Sequence, residues 1–238
     1  LLGTTGAGKT SLVKHIINTS EYDFPSTTQS RTTVSPTEYV IKKDLPFKTT
    51  IILKDKDDIC DSIILIIQDA IQKALENFKL DKNNLEDIIS KLEESSDERF
   101  RLKYMIQHDI LKEQALKIQN IIIPLIADLD TNNETLFLDV NVQREINDIL
   151  NAFLEEIEIC FSKLNFNKYK LFSDSTITLE NFLNKDDFIK RNKELLKNDY
   201  GSLSLLVEYV RIEGNLLANW LPKDWEFVLI DGEGIGHS

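Results

Sequence analysis

The sequence predicts an α/β protein in which a large all-helical segment interrupts a β-sheet. The first observation behind this prediction is that six of the 8 glycines lie in the first eight or last seven residues, and none lies between Gly8 and Gly201. A stretch so poor in glycine favours long helices. In addition, apolar residues repeat with a helical period from about residue 57 to residue 198, and β-type runs lie on both sides of that region.

These patterns divide the chain into three parts. Residues 1–54 are predicted to begin a sheet domain, residues 55–200 to form a helical insertion, and residues 201–238 to return to the sheet. Within the insertion, apolar stripes step by three and four residues, which predicts antiparallel helices packed as a bundle or a bent coiled coil. One such stripe consists of Val142, Ile146, Ile149, Phe153, Ile157, Cys160 and Leu164.

Five β-type runs and one late helix are predicted outside those stripes. Thr37–Lys42 and Phe47–Leu53 are expected to pair as a hairpin, and Leu203–Ile212 and Trp225–Asp231 to form later strands, the last of them buried. Tyr169–Phe172 is a candidate short strand, and Thr178 is the expected N-cap of a helix that runs to Leu196. His108 lies on an apolar stripe with no second ligand at helical spacing, so we expect a core or interface histidine.

Composition limits the classes of partner. The formal net charge is −12 and the sequence pI is about 4.8, so no nucleic-acid partner is expected. Two cysteines, Cys60 and Cys160, give no disulfide framework, which favours a reduced, cytoplasmic location. No transmembrane segment or signal peptide is predicted, and peripheral membrane contact is left open. The sequence has no initiator Met, and we expect it to be part of a longer chain.

The beginning of the chain carries a phosphate-binding motif. Gly3–Thr10, with the sequence GTTGAGKT, fits the P-loop pattern G-x-x-x-x-G-K-[ST] and precedes an apparent helix start at Ser11. Its glycines let backbone N–H groups surround phosphates, and the helix N-terminus adds positive potential. The lysine can reach the β- and γ-phosphates and the threonine hydroxyl can bind Mg²⁺. The predicted phosphate-binding residues are Gly3, Thr4, Thr5, Gly6, Ala7, Gly8, Lys9, Thr10 and Ser11.

A second motif lies near the other end of the chain. Asp231 closes the apolar run Phe227–Ile230 and begins Asp231–Gly234, which fits D-x-x-G. An acid at the end of a buried strand is where a P-loop protein places the ligand of a Mg²⁺-bound water. D-x-x-G alone also fits an ordinary glycine-rich turn, but together with an intact P-loop it indicates the switch II of a GTPase.

At these residues the sequence resembles the translation-factor-related class of P-loop GTPases and, within it, the dynamin-like proteins. The resemblance covers roughly residues 1–54 and 203–238 and leaves the helical middle unmatched. The segment Arg31–Pro36 is similar to switch I of that family, with Thr33 at the family's spacing to the proline and Thr32 as the second choice. The resemblance implies a P-loop, G-domain-like sheet with the helical insertion between switch I and switch II.

The resemblance also implies the ligands and the roles of residues. GTP and Mg²⁺ are the expected ligands, with Thr10, Thr33 and Asp231 as metal ligands and Lys9, Thr33 and Gly234 as catalytic residues. Ile235 stands where Ras-like proteins place a water-orienting Gln, and dynamin-like GTPases share that feature and take the missing group from elsewhere, often across a dimer. Self-association through the GTPase domain is therefore expected.

Two features besides Ile235 depart from a complete match, and two other functions stay open. Dynamin-like proteins usually have Pro where this chain has Glu233, and the guanine-recognition motif would lie beyond Ser238. An ATPase is the first alternative, although Gly232 separates Glu233 from Asp231, whereas ATPases of the additional-strand type place a Glu directly after the Asp. The second alternative is a nucleotide-gated assembly protein whose helical insertion binds a protein partner.

Overall fold

The structure is a computed structural model that describes residues 9–17, 36–80, 82, 84–94, 101–127, 136–166, 169–197, 199–216 and 220–231. The protein is mixed α/β and divides into two compact units. The sheet unit comprises residues 1–55 and 166–238, and the helical unit comprises residues 56–165.

The sheet unit contains an open five-stranded sheet in the order β3-β2-β4-β1-β5. β1 and β4 run parallel, and the other neighbouring strands run antiparallel. Every strand contains β-branched residues, which favour a pleated, half-buried surface. The strands are β1 (Thr37–Lys42), β2 (Lys48–Leu53), β3 (Thr176–Leu179), β4 (Val207–Gly214) and β5 (Glu226–Asp231).

The predicted hairpin between the first two strands is wrong. β4 lies between β1 and β2 and pairs with both, parallel to β1 and antiparallel to β2. This arrangement places Val210 and Ile212, which are 2% and 1% exposed, at the centre of the sheet. The turn after β1 is present, with Asp44 at a φ of 66°, but the chain passes to a position two strands away instead of reversing beside itself.

One face of the sheet is buried beneath two helices, α1 (Lys9–Ile16) and α7 (Lys185–Leu196). α1 packs against β5 and buries Val13 and Ile17 completely. α7 is held by a buried hydrogen bond, in which the Thr49 hydroxyl donates to Asn192 Oδ1 at 2.7 Å. Phe188 of α7 also stacks on Phe47, with 4.9 Å between ring centroids.

The opposite face of the sheet carries charged and half-exposed side chains. Arg211 lies 3.4 Å from Glu38 and 3.5 Å from Glu213, and Tyr209 donates a hydrogen bond to Glu38. Exposed ion pairs of this kind contribute at most about 1 kcal/mol each. β5 is an edge strand of the described sheet and is half-buried, contrary to the buried strand predicted, because Val228 and Ile230 on this face are 45% and 49% exposed.

The helical unit confirms the helical periodicity of the sequence over residues 56–165. Its helices are α2 (Lys56–Lys79), α3 (Leu85–Glu93), α4 (His108–Lys117), α5 (Ile123–Ala127) and α6 (Val140–Lys163). A π-helical segment, Ile118–Ile122, joins α4 to α5. α2 packs against α3 and α6, and the predicted stripe of α6 is buried from Val142 to Cys160. The Asp139 carboxylate caps α6 by accepting hydrogen bonds from the next helical N–H groups.

Three local predictions are wrong. Tyr169–Phe172 is not a strand; Phe172 has a φ of 64°, and the strand forms instead at Thr176–Leu179. Thr178 therefore lies in β3, and Asn184 caps α7 by accepting a hydrogen bond from the Asp187 N–H at 2.9 Å. The core placement of His108 is also wrong, because it begins α4 with a side chain that is 58% exposed and 3.2 Å from Glu93, and the interface alternative stays a prediction.

The sequence-based limit of the insertion at residue 200 differs from the structural limit at residue 165. The difference has a clear cause, since β3 and α7 belong to the sheet unit. Ile177 of β3 pairs with Ile51 of β2, and α7 covers the buried face of the sheet. A short edge strand and a helix that packs on a sheet have the same local patterns as elements of a helical insertion, so periodicity alone did not separate them.

Candidate functional site

Asp231 is the predicted site residue whose side chain the structure describes most fully. It is the last residue of β5 and its side chain lies on the buried face of the sheet, with 0% exposure. A buried carboxylate at the end of a strand is costly unless other groups compensate its charge. A group of opposite charge near Asp231 would lower this cost.

Strand pairing brings Asp231 next to the start of β1. β1 and β5 are antiparallel, and Thr37 is the residue directly opposite Asp231. Pro36 and Thr37 follow the segment predicted as switch I, and Asp231 precedes the segment predicted as switch II. The two predicted switch segments therefore adjoin the same edge of the sheet. They do so at Thr37 and Asp231, which pair with each other.

The helix predicted to follow the P-loop packs on the same strand. α1 begins at Lys9 and packs against β5, and Val13 and Lys14 of this helix and Ile17, the residue after it, are at most 4% exposed. Leu12 and His15 are exposed on the other side of the helix. α1, which follows the predicted P-loop, and β5, which ends at Asp231, are thus neighbours within the sheet unit.

Tyr39 shares the electrostatic environment of Asp231. It lies two residues after Thr37 on β1, so both side chains belong to the buried face, and Tyr39 is itself 0% exposed. Burial raises the pKa of the Tyr39 phenol well above its usual value, and the negative charge of Asp231 raises that pKa further. The phenol therefore stays protonated over the physiological pH range.

The chemistry of Asp231 fits a Mg²⁺ site of the kind found in nucleotide-binding proteins. Such sites use one or two carboxylates together with water and substrate phosphates, because Mg²⁺ loses its water reluctantly. Among the residues that the structure describes, no group of three or more His, Cys, Asp and Glu side chains could hold a metal ion by itself.

The other predicted site residues fall into two groups. The backbone of Lys9, Thr10 and Ser11 forms the first turn of α1. The remaining residues lie outside the described part of the chain, and they are Gly3, Thr4, Thr5, Gly6, Ala7, Gly8, Thr32, Thr33, Glu233, Gly234, Ile235 and His237.

Thr37 and Tyr39 are site neighbours that the sequence did not identify. Their proximity to Asp231 depends on the register between two strands that are far apart in the chain. Alternation along Thr37–Lys42 does place Thr37, Tyr39 and Ile41 on one face, which is the signal that could have grouped them. The alternation does not indicate which strand pairs with β1.

Comparisons of this chain with protein-family models, with curated proteins and with solved structures found no match. None of the helices in the described ranges has the length and apolar character needed to cross a membrane.

Proposed function

We propose that the sheet unit binds and hydrolyses a Mg²⁺–nucleoside triphosphate, with GTP as the nucleotide, as in the dynamin-like GTPases that the sequence resembles. One observation carries this proposal: Asp231 is buried at the end of β5, directly opposite Thr37 at the start of β1, on the strand against which α1 packs. The predicted P-loop, switch I and switch II adjoin α1, β1 and β5 in the chain. A chance match to these sequence patterns would not predict that β5 contacts both α1 and β1.

Each residue has a role set by its chemistry. Lys9 neutralises charge on the β- and γ-phosphates, and the N–H groups of the P-loop bind the same oxygens. Thr10 and Thr33 offer hydroxyl ligands to Mg²⁺, and Asp231 holds a Mg²⁺-bound water. When bound, Mg²⁺ supplies charge stabilisation on the transferred phosphoryl group. The Gly234 N–H donates a hydrogen bond to the γ-phosphate.

Hydrolysis transfers the γ-phosphoryl group to water. The water oxygen bonds to the γ-phosphorus, the bond from that phosphorus to the β–γ bridging oxygen breaks, and the products are a nucleoside diphosphate and inorganic phosphate. Ile235 has no group that could orient the water, so we propose that a second copy of the chain completes the site. Glu233 and His237 are the local groups that would do so in a monomer.

The proposal gives the helical unit a role as well. β2 ends at Leu53 and α2 begins at Lys56, so the sheet runs almost directly into the helical unit. Order imposed on the switch segments by the γ-phosphate would act on β1 and β5, which belong to the same sheet. We propose that the helical unit is the element that nucleotide state moves.

Calorimetric titration of the full chain with GTP and with ATP tests nucleotide binding. Lys9→Ala should weaken binding by at least about tenfold, because a hydrogen bond to a charged group contributes about 1.5–3 kcal/mol. Lys112→Ala, which removes an exposed lysine of α4, is the matched control and should bind as the unaltered chain does. Equal affinity in both variants would reject the P-loop as a phosphate site, and tighter binding of ATP would reject GTP as the nucleotide.

Turnover measured over a wide range of protein concentration tests the dimer-completed site. We expect specific activity to rise with concentration, and Thr33→Ala to abolish turnover. Activity that is independent of concentration, together with a Glu233→Ala or His237→Ala variant that binds nucleotide but is inactive, would place the chemistry within one chain.

A further inference from the structure

The helical unit contains a cavity that the proposed nucleotide site does not use. Its volume is about 380 Å³, within the range of ligand-binding pockets. It lies between the end of α2, the beginning of α3 and the π-helical segment. The described residues that line it are Ala74, Asn77, Phe78, Lys82, Ile88, Gln119, Asn120 and Ile123.

The cavity has an apolar floor and a polar rim. Ala74, Ile88 and Ile123 are at most 4% exposed and form the floor. Phe78 is 57% exposed at the rim, where Lys82 and Asn120 are also exposed. This combination would bury an apolar group and at the same time meet polar groups attached to it.

The π-helical segment contributes Gln119 and Asn120 to the lining of the cavity. The Ile123 N–H bonds the Ile118 carbonyl, five residues back, which widens the helix at this turn. Pro124, one residue later, has no N–H to donate within the helix. π-Helical turns are frequent at functional sites in helices.

A buried amide is fixed at the floor. Asn77 is 5% exposed, and its amide nitrogen donates to the Asn84 carbonyl at 3.3 Å and to Asp87 Oδ2 at 3.4 Å. These bonds hold the side chain in one orientation, so its carbonyl oxygen occupies a defined position. Asn77, Gln119 and Asn120 together place three carboxamides around the cavity.

Two exposed apolar residues lie next to lining residues in the chain, which favours a macromolecular ligand. Leu80, two residues after Phe78, is 62% exposed, and Ile121, next to Asn120, is 43% exposed. A small molecule that filled the cavity would leave these side chains in water, whereas a peptide could cover them. Carboxamides donate and accept hydrogen bonds, as peptide groups do.

We propose that this cavity, called the groove below, binds a peptide segment of a partner protein. The peptide inserts one large apolar side chain against the floor of the groove and carries a carboxylate next to that side chain. Lys82 is the one charged residue among the described lining residues, and it is the partner of that carboxylate. The chain as a whole carries a net charge of −12, so the contact with Lys82 would act at short range and select the peptide rather than accelerate its approach.

Selection of a random peptide library displayed on phage against the immobilised full chain tests the proposal. The expected consensus is a large apolar residue next to Asp or Glu. The selected peptide, labelled with fluorescein, is then titrated with the chain and its variants by fluorescence polarisation. Asn120→Trp should block the groove and abolish binding, whereas Asn147→Ala, an exposed change on α6, should have no effect.

A comparison of two peptides tests the contact between Lys82 and the carboxylate. Lys82→Ala should weaken binding of the acidic peptide by about threefold to fivefold and leave unchanged a peptide in which the acid is replaced by its amide. Both Lys82 and Asn120 are exposed, so these variants should fold, and circular dichroism checks that they do.

Four results would overturn the proposal. They are the absence of any enriched consensus, a basic consensus, equal binding to Asn120→Trp and the unaltered chain, and equal effects of Lys82→Ala on both peptides. Absence of a consensus together with dimerisation that Asn120→Trp abolishes would assign the groove to a second copy of the chain.

Discussion

At the scale of single residues, Tyr39 is the side chain whose ionisation the fold suppresses most clearly. Its pKa is raised well above 10.0 by burial and by the charge of Asp231. A tyrosine whose folded pKa is raised stabilises the fold fully below the unfolded pKa, and that contribution is lost as pH rises above it. The fold should therefore lose stability in alkaline solution through this residue.

We predict that Tyr39→Phe reduces the alkaline dependence of stability. From about pH 10 to 11, the free energy of unfolding of the unaltered chain should fall by about 1 kcal/mol more than that of the variant. Urea unfolding at a series of pH values, without nucleotide or metal, measures this. Parallel curves would show that Tyr39 ionises equally easily in both states. Partial burial also raises the pKa of Tyr209, so Tyr209→Phe should change the alkaline dependence in the same direction but by less.

The bond between Thr49 and Asn192 is the second residue-scale feature, because both side chains are 0% exposed. Thr49→Val keeps the shape of the side chain but removes the donor to Asn192 Oδ1, and we expect a loss of about 1–3 kcal/mol of stability. Thr50→Val changes the neighbouring residue on the opposite face of the sheet and should cost less. Equal urea midpoints for the two variants would mean that the bond adds nothing to the docking of α7.

At the scale of elements, the end of β4 depends on a glycine. Gly214 has a φ of +153°, and a Cβ placed there would lie 2.5 Å from Phe47 Cδ1. Phe47 is itself stacked on Phe188 and has little room to move. The close approach of β4 to this aromatic pair therefore requires a residue without a side chain.

We predict that Gly214→Ala destabilises the chain by about 1–3 kcal/mol through the clash and the backbone strain together. Gly201→Ala is the matched control, because Gly201 has a φ of +78° but no atom within 4 Å of the added Cβ, so it incurs strain alone. Thermal unfolding should rank Gly214→Ala below Gly201→Ala, and Phe47→Ala should reduce the difference. The reverse ranking would contradict the clash.

The elements themselves were largely predictable from sequence, but their neighbours were not. The runs that became β1 and β2 are rich in Val, Ile and Thr, and this local preference placed them to within a residue. Their pairing with β4 depends on residues far along the chain, and the local hairpin was the wrong choice. His108 followed the period of a buried stripe, yet α4 begins there and its first turn is solvated.

At the scale of the whole molecule, the helical unit is one uninterrupted stretch of chain, whereas the sheet unit is assembled from two. The helical unit has its own core, which includes Ile63, Ile67, Leu111, Ile149 and Phe153, all of them 0% exposed. A contiguous segment with its own apolar core can fold independently.

We predict that residues 56–165 expressed alone form a helical protein with cooperative thermal unfolding. Circular dichroism and a melting curve measure this, and the same experiment on residues 1–55 alone is the control, because that piece lacks β4 and should not fold. A non-cooperative melt of the 56–165 fragment would show that the helical unit does not fold stably without the sheet unit.

The candidate site was predictable where it depends on local motifs and not where it depends on register. The acid at the end of a β-type run identified Asp231 from sequence, and its burial agrees with that prediction. Thr37 and Tyr39 could not be assigned to it, because the antiparallel pairing of β1 with β5 joins segments at opposite ends of the chain.

The affinity of the full chain for GTP, measured with Mg²⁺ and with a chelator, for the unaltered chain and for Asp231→Asn, tests the central claim most directly. Asparagine keeps the shape of the buried side chain and removes the charge that holds the Mg²⁺-bound water. The account predicts that Mg²⁺ strengthens binding in the unaltered chain and that Asp231→Asn reduces this gain by about tenfold or more, with affinity in chelator unchanged. An equal gain from Mg²⁺ in both proteins would contradict the assignment of Asp231 to a nucleotide–metal site.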